Sequence, residues 1–159
     1  MIIGIDSGKS GAFAIMEREE INLIPMPLID KEIDVKAISD MLLEIRSEIK
    51  LVVLEDIFAI PSHGASSMLS FGRNHGRIEG VLIALKIPYI MISAKTWQNV
   101  LLKGVLGDTT KTRAYKVASK LFPLVELKKG RSKNYDEGFV DALLIAEYGK
   151  RCLSLKEQS

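Results

Sequence analysis

The sequence predicts an α/β fold built on a five-stranded mixed sheet, three strands antiparallel and then two parallel, flanked by helices. Three features carry this expectation. Short apolar stretches crowd the first 27 residues, two further apolar stretches each follow a segment of helical periodicity, and beyond Ser93 the pattern is helical throughout.

Ile2–Asp6, Ala12–Met16 and Ile21–Pro27 are separated only by Ser7–Gly11 and Glu17–Glu20. Connections this short join antiparallel neighbours, because a parallel return needs a dozen or more residues. Asp34 then offers a helix N-cap, and Val35, Ile38, Met41, Leu42, Ile45 and Ile49 follow at helical spacing. Leu51–Phe58 opens on an unbroken apolar run, as a central parallel strand buried on both faces does. Ser66–Lys86 reads as one long helix and Pro88–Ser93 as the fifth strand. Thr96–Lys103, Thr110–Leu121 and Asp136–Cys152 read as helices, with Phe122–Tyr135 a mobile basic loop between the last two. In the long helix Gly72, Gly76 and Gly80 share one face. Each costs about 1 kcal/mol relative to alanine, so close approach of another backbone is expected there. Packing on the sheet and a helix-to-helix dimer contact are the two readings.

A chain of 159 residues and 17.6 kDa corresponds to one domain, residues 1–159. With 47% apolar and 26% charged residues its composition is that of a soluble globular fold. The single cysteine, Cys152, excludes an internal disulfide and fits a reducing cytoplasm. No apolar run approaches the ~20 residues of a membrane span, and Asp6 interrupts any secretory signal, so a soluble intracellular protein is expected. The net charge of +2 hides an asymmetry: Glu17–Asp56 holds eleven acids against five bases, Lys103–Lys133 nine bases against two acids. The second segment has the charge pattern of a polyanion-binding face, and also of an ordinary solvated helix and loop.

Gly4-Ile-Asp-Ser-Gly8-Lys9-Ser10 is not a phosphate loop, because three residues rather than four separate its glycines and a strand follows it. Asp6 instead ends the first strand, where an Asp beside Gly is also a common turn former. Glu55 lies within an apolar strand, where an unpaired carboxylate is expensive to bury. If the two strands are parallel neighbours, about 4.8 Å apart, both carboxylates can face one cation, and oxygen-only ligands suit Mg²⁺. Asp136 and Glu137 open the last helix, where the macrodipole favours acids. Asp141 stands among Phe139, Val140, Ala142 and Leu143, and one turn from Glu137 it makes a like-charge pair that a metal would relieve.

Gly4-Ile-Asp6-Ser-Gly8, Leu54-Glu55-Asp-Ile-Phe58, Phe71-Gly-Arg-Asn-His-Gly-Arg-Ile-Glu-Gly80 and Asp136-Glu137-Gly138-Phe-Val-Asp141-Ala142-Leu143, in this order and spacing, resemble the RuvC family of Holliday junction resolvases, its phage-encoded branch in particular. The resemblance runs over nearly the whole chain and implies a ribonuclease H-like fold. It implies that Asp6, Glu55, Asp141 and one further acid bind two Mg²⁺ ions, for which Mn²⁺ would substitute. The bacterial pattern puts the fourth acid three residues before the last Asp, where this chain has Gly138; the phage pattern puts it four before, at Glu137, and Asp136 is an alternative. Phe58 matches an aromatic that stacks on a base near the branch point. Lys111 matches a lysine near the scissile phosphate, with Lys95 a second candidate. The expected partners are branched DNA, a four-way junction, and a second copy of the chain, with no membrane and no nucleotide cofactor; the expected location is the cytoplasm, of a bacterial host if the chain is phage-encoded.

The implied activity is metal-dependent endonucleolytic hydrolysis leaving a 5′-phosphate and a 3′-hydroxyl, with two ions about 4 Å apart and Lys111 offsetting charge on the transition state. Lys95, Lys116, Lys128, Lys129, Arg131 and Lys133 are expected on DNA phosphates. His63 and His75 lack metal-ligand partners at useful spacing and read as structural or phosphate-contacting. Two other readings compete: a non-catalytic or weakly catalytic branched-DNA-binding module of the same fold, and one lobe of an actin-like ATPase, which would need a second lobe.

Overall fold

The computed structural model describes residues 1–56 and 64–156. Strands β1 (Ile2–Asp6), β2 (Ala12–Glu17), β3 (Glu20–Pro25), β6 (Leu51–Asp56) and β7 (Tyr89–Ser93) form one sheet in the order β3-β2-β1-β6-β7. The pairs β1–β2 and β2–β3 are antiparallel, β1–β6 and β6–β7 parallel. This is the expected mixed sheet, centred on β1.

Side-chain alternation sends each strand's residues into two cores. Ile3, Ile5, Phe13, Val52 and Leu54 face α1 (Val35–Glu44) and α2 (Ala65–Ala84), where Ile38, Leu42, Ile78 and Leu82 are buried. Ala12, Ala14, Met16, Leu51 and Val53 face α3 (Ala94–Leu101), α4 (Thr110–Leu121) and α5 (Glu137–Lys156), with Trp97, Ala114, Ala118 and Leu143. Asp34, Ser93 and Thr109 cap α1, α3 and α4 by accepting bonds from Ala37, Thr96 and Thr112 amides.

The packing of α5 on β1 is backbone against backbone. A side chain at Gly4 would place its Cβ 2.2 Å from the Ala142 carbonyl oxygen and 2.4 Å from the Ala146 nitrogen. The helix lies so low on the sheet only because Gly4 has no side chain and Ala12 and Ala14 beside it have small ones.

Several expectations are corrected. A hairpin, β4 (Leu28–Ile29) with β5 (Glu32–Ile33), follows β3. Its turn residues Asp30 and Lys31 have φ of 49° and 64°, the left-handed pair of a type I′ turn, without the Asn-Gly or Asp-Gly signature that would have announced it. The segment from 122 to 135, expected as a mobile loop, is fastened: Leu127 is buried, Tyr135 stacks on Tyr115 at 4.3 Å, and the Asp136 amide donates to the Leu127 carbonyl at 2.7 Å. The glycine face of α2 does not pack on the sheet, since among the described residues a Cβ at Gly72, Gly76 or Gly80 would meet no atom within 4 Å. Phe58 and His63 lie outside the described residues.

Replacement of Gly4 by alanine should therefore unseat α5 and destabilise the protein by ~3 kcal/mol or more, as overpacking a backbone contact does. Gly76→Ala, whose Cβ meets no described part of the same chain, should instead raise the stability of the monomer by roughly 0.5–1 kcal/mol through helix propensity. Urea denaturation of both variants measures the contrast.

Candidate active site

Asp6 and Glu55 sit at the C-terminal ends of β1 and β6, one residue beyond the paired Ile5 and Leu54. Both have the parity of Gly4 and Val53, so they stand on the α5 side of the sheet. Asp6 Oδ1 accepts from the Gly8 amide at 3.1 Å, an Asx-type closure of the turn after β1. A Cβ at Gly11 would lie 2.1 Å from the Asp6 carbonyl oxygen, so glycine is needed there for the turn to fold under the carboxylate. Glu55 Oε1 accepts from the Trp97 indole N–H at 2.8 Å, and Trp97 is fully buried in α3. Sequence reasoning missed Trp97; its only trace was a lone tryptophan in the first turns of the helix that follows β7.

The head of α5 brings the remaining acids to the same sheet end. Asp136 caps it, Oδ1 accepting from the Phe139 amide at 3.0 Å, while Oδ2 pairs with Lys129 Nζ at 2.9 Å. Glu137 pairs with Lys111 Nζ at 2.5 Å. Gly138 is pressed against the turn after β1: a Cβ there would meet the Ser10 carbonyl oxygen at 2.4 Å. No acid can occupy that position in this backbone, which leaves Glu137 and Asp136 as sources of a fourth carboxylate. Asp141, one turn further on, is half-buried and, among the described residues, has neither a hydrogen-bond nor an ion-pair partner.

Electrostatics bind these groups into one cluster. Burial raises the pKa of Glu55 to about 7, against the Trp97 hydrogen bond that lowers it, and the Asp6 charge raises it further. Burial also raises Asp141 to about 7, with Asp6, Glu55 and Glu137 adding to the rise and Lys111 opposing it. Asp6 is raised by burial, opposed by the Gly8 amide, with Asp136 adding repulsion. Such mutual elevation is the signature of carboxylates collected without enough positive charge.

Among the described residues, no three acid or imidazole groups converge tightly enough to cage a cation as the side chains stand. Trp97 holds Glu55, and Lys111 and Lys129 hold Glu137 and Asp136. The donor set nevertheless fits a hard divalent cation: all ligands are carboxylate oxygens, and Asp6, Glu55 and Asp141 are half-buried with no ion-pair partner. Asp6, Glu55 and Asp141 would hold such a cation, with Glu137 or Asp136 completing the set.

The basic residues divide by occupation. Lys129 is tied to Asp136 and stands 5.0 Å over the Phe139 ring, so it braces the head of α5. Lys116 Nζ donates to the Leu106 carbonyl at 3.0 Å, closing the loop before α4. Lys95, Lys128, Arg131 and Lys133 are exposed and, among the described residues, have no side-chain partner. His75 is buried on the α2 side, Nδ1 3.4 Å from Ser7 Oγ and Nε2 3.9 Å from Asp56 Oδ1, which favours the structural reading over the phosphate contact.

No family model matches the sequence, and no curated protein matches it. Solved structures do match. A structure of RuvC from Thermus thermophilus superposes with a TM-score of 0.58 at 15% identity, over 95% of this chain and 95% of that one. The same organism's RuvC in complex with a Holliday junction substrate gives 0.61 at 15% identity, over 95% of this chain and 94% of that one. The fold is RuvC-like. At this identity the likeness establishes the ribonuclease H-like architecture expected from the sequence, while the RuvC-like motifs of the chain stand on their own residues. Among the described residues, no helix is long and apolar enough to cross a membrane.

The raised pKa values have a pH consequence. Where the folded state keeps Glu55 and Asp141 protonated and the unfolded chain does not, from about pH 4 to about 7, metal-free stability falls as pH rises. Thermal melts in EDTA should show the stability of the wild type dropping relative to Asp141→Asn across this range, and Mg²⁺ should erase the drop by binding the ionised folded form.

Proposed function

We propose that this chain is a divalent-metal-dependent, structure-selective DNA endonuclease that resolves four-way junctions, working as a single domain in a homodimer. The observation that carries the reading is the trio Asp6, Glu55 and Asp141: half-buried, without ion pairs, mutually repelling, and assembled from three separate elements at one end of a RuvC-like sheet. An apo fold that gathers such charges loses stability by doing so, which a resident cation would offset. The alternative, a non-catalytic branched-DNA-binding module, gives no reason to concentrate acids against the phosphates it must hold.

When bound to these carboxylates, Mg²⁺ supplies charge neutralisation of the phosphodiester and a water of lowered pKa for in-line attack. The chain's own residues set the conditions. The Gly8 amide orients Asp6, and the Trp97 indole orients Glu55. Lys111, exposed at the start of α4 and 2.5 Å from Glu137, places a positive charge at the mouth of the cluster, where negative charge on a transferring phosphoryl group develops. Lys95, Lys128, Arg131 and Lys133 are free for backbone phosphates, which position DNA without reading its sequence. Lys129 and Lys116 act by bracing their loops. Phe58, three residues after Glu55, keeps the role the family resemblance gives it, stacking near the branch point. Glu137 as fourth acid fits the phage-type spacing, and the exclusion of side chains at Gly138 supports it.

A junction presents two symmetry-related scissile phosphates and one chain carries one acid cluster, so a two-fold dimer supplies the second. The open face of α2 supports this, with Leu69 and Ile83 exposed beside Gly72, Gly76 and Gly80. Sedimentation at micromolar concentration should give a dimer, free or on junction DNA; monomer under both conditions would remove the dimer.

Asp141→Asn should bind synthetic junctions with wild-type affinity and leave them uncut in Mg²⁺, with cleavage reduced at least a thousandfold, about 4 kcal/mol of transition-state stabilisation. In EDTA it should melt at or above the wild type, because a repulsive charge is gone. Gel-resolved nicking and thermal melts measure both; near-normal cleavage would exclude Asp141 from the site.

A further inference from the structure

Asp6 and Glu55 stand where the two central strands part. The β1–β6 ladder ends at Ile5 and Leu54, whereas Asp6 still pairs with Ala12 of β2, and Glu55 and Asp56 pair with Ile92 and Ser93 of β7. Each acid is therefore registered against the strand outside it and not against the other. Their charges act to widen the split, as the rise that Asp6 imposes on the Glu55 pKa records. A contact across the two strand ends would resist that widening.

One is present on the opposite face. Ser7 and Asp56 follow the two acids and have the parity of Ile5 and Leu54, so their side chains stand on the α2 side. His75, from the middle of α2, reaches both: Nδ1 lies 3.4 Å from Ser7 Oγ and Nε2 3.9 Å from Asp56 Oδ1. With its proton on Nε2 the ring presents a donor to the Asp56 carboxylate and accepts the Ser7 hydroxyl at Nδ1. The link lies inside the fold, with Ser7 2% and His75 8% exposed, where water weakens polar contacts little. The adjacent Asn74 is buried as well, but its Oδ1 has no partner among the described residues and provides no second link.

We propose that His75 is a positioning residue of the acid cluster: by linking the residues that follow Asp6 and Glu55, it holds the two carboxylates at the distance a divalent cation needs. The inference rests on the nuclease reading above and assigns that site a support from the far face of the sheet. His75 bonds Ser7 and faces Asp56 rather than either metal-site carboxylate, so it acts through one residue of backbone on each strand. A buried histidine that only packs α2 on the sheet makes a different prediction. Its loss would lower stability and leave the cation affinity of the folded protein unchanged.

The test uses the full chain without DNA and Mn²⁺ as the probe, with binding read from loss of the free-ion EPR signal and thermal melts run alongside. His75→Ala should weaken Mn²⁺ binding about tenfold, the lower end of what losing a contact behind a metal ligand costs. Ser7→Ala removes a single oxygen and should weaken binding severalfold, so the measurement stands even if His75→Ala does not fold. The double variant should bind no more weakly than His75→Ala, because both substitutions open the same link. On junctions, His75→Ala should need about tenfold more Mg²⁺ for half-maximal cleavage, with the KM for the junction unchanged. Wild-type Mn²⁺ affinity in folded His75→Ala or Ser7→Ala, with or without a lowered melting temperature, overturns the positioning role and leaves the nuclease reading intact. A wild type that binds no Mn²⁺ and cuts no junction overturns the nuclease reading, and this proposal with it.

Discussion

The contact on which everything else depends is the seating of α5 on the backbone of β1. It is a contact of absent side chains: Gly4 opposite Ala142 and Ala146, and Gly138 against the Ser10–Gly11 backbone. With the helix this low, Asp141 reaches the sheet end where Asp6 and Glu55 emerge. Gly11, under Asp6, lets the turn close tightly enough for Gly138 to pass. Three glycines thus set the separation of the acids, although none carries a side chain near them.

That geometry carries an electrostatic debt. Glu55 and Asp141, whose pKa values burial and mutual repulsion raise to about 7, have among the described residues only the Trp97 hydrogen bond to Glu55 in their immediate surroundings; it is the hydrophobic core beneath them that keeps them together. Leu143, Leu144, Ile145 and Ala146 are fully buried one turn along the helix from Asp141. The apolar burial of those side chains, at about 25 cal/mol per Å², is large enough to carry a strained polar end. Lys111 and Lys129 temper the outer acids and leave the inner three without an ion-pair partner among the described residues.

The two faces of the sheet divide the labour. On the α5 side the strand ends carry acids; on the α2 side they carry Ser7 and Asp56, linked through His75. Glu32 of the unforeseen hairpin ties Lys9 down at 2.6 Å and lies 4.0 Å from Arg77. The turn after β1 is therefore clamped between α2 and the hairpin on one side and Gly138 on the other. A turn so constrained holds Asp6 in place, as the proposed hydrolysis requires of a group that must be positioned closely.

Read alone, the sequence determined what local physics governs. Short connections forced the antiparallel half of the sheet, the apolar run from Leu51 located the central strand, and Asp6, Glu55 and Asp141 stood out because each is awkward where it lies. It was silent wherever a property belongs to residues far apart in the chain. The Asp30–Lys31 turn carries no glycine, and its left-handed pair is enforced by the strands it joins. Lys129 and Lys116 look like free DNA-binding charges until Asp136 and the Leu106 carbonyl are brought beside them. Trp97 on Glu55, the crowding at Gly138 and the unpaired oxygen of Asn74 exist only once the helices are seated. Periodicity and burial leave a trace in every few residues, whereas hydrogen bonding, pKa and steric exclusion depend on distances that only long-range packing fixes.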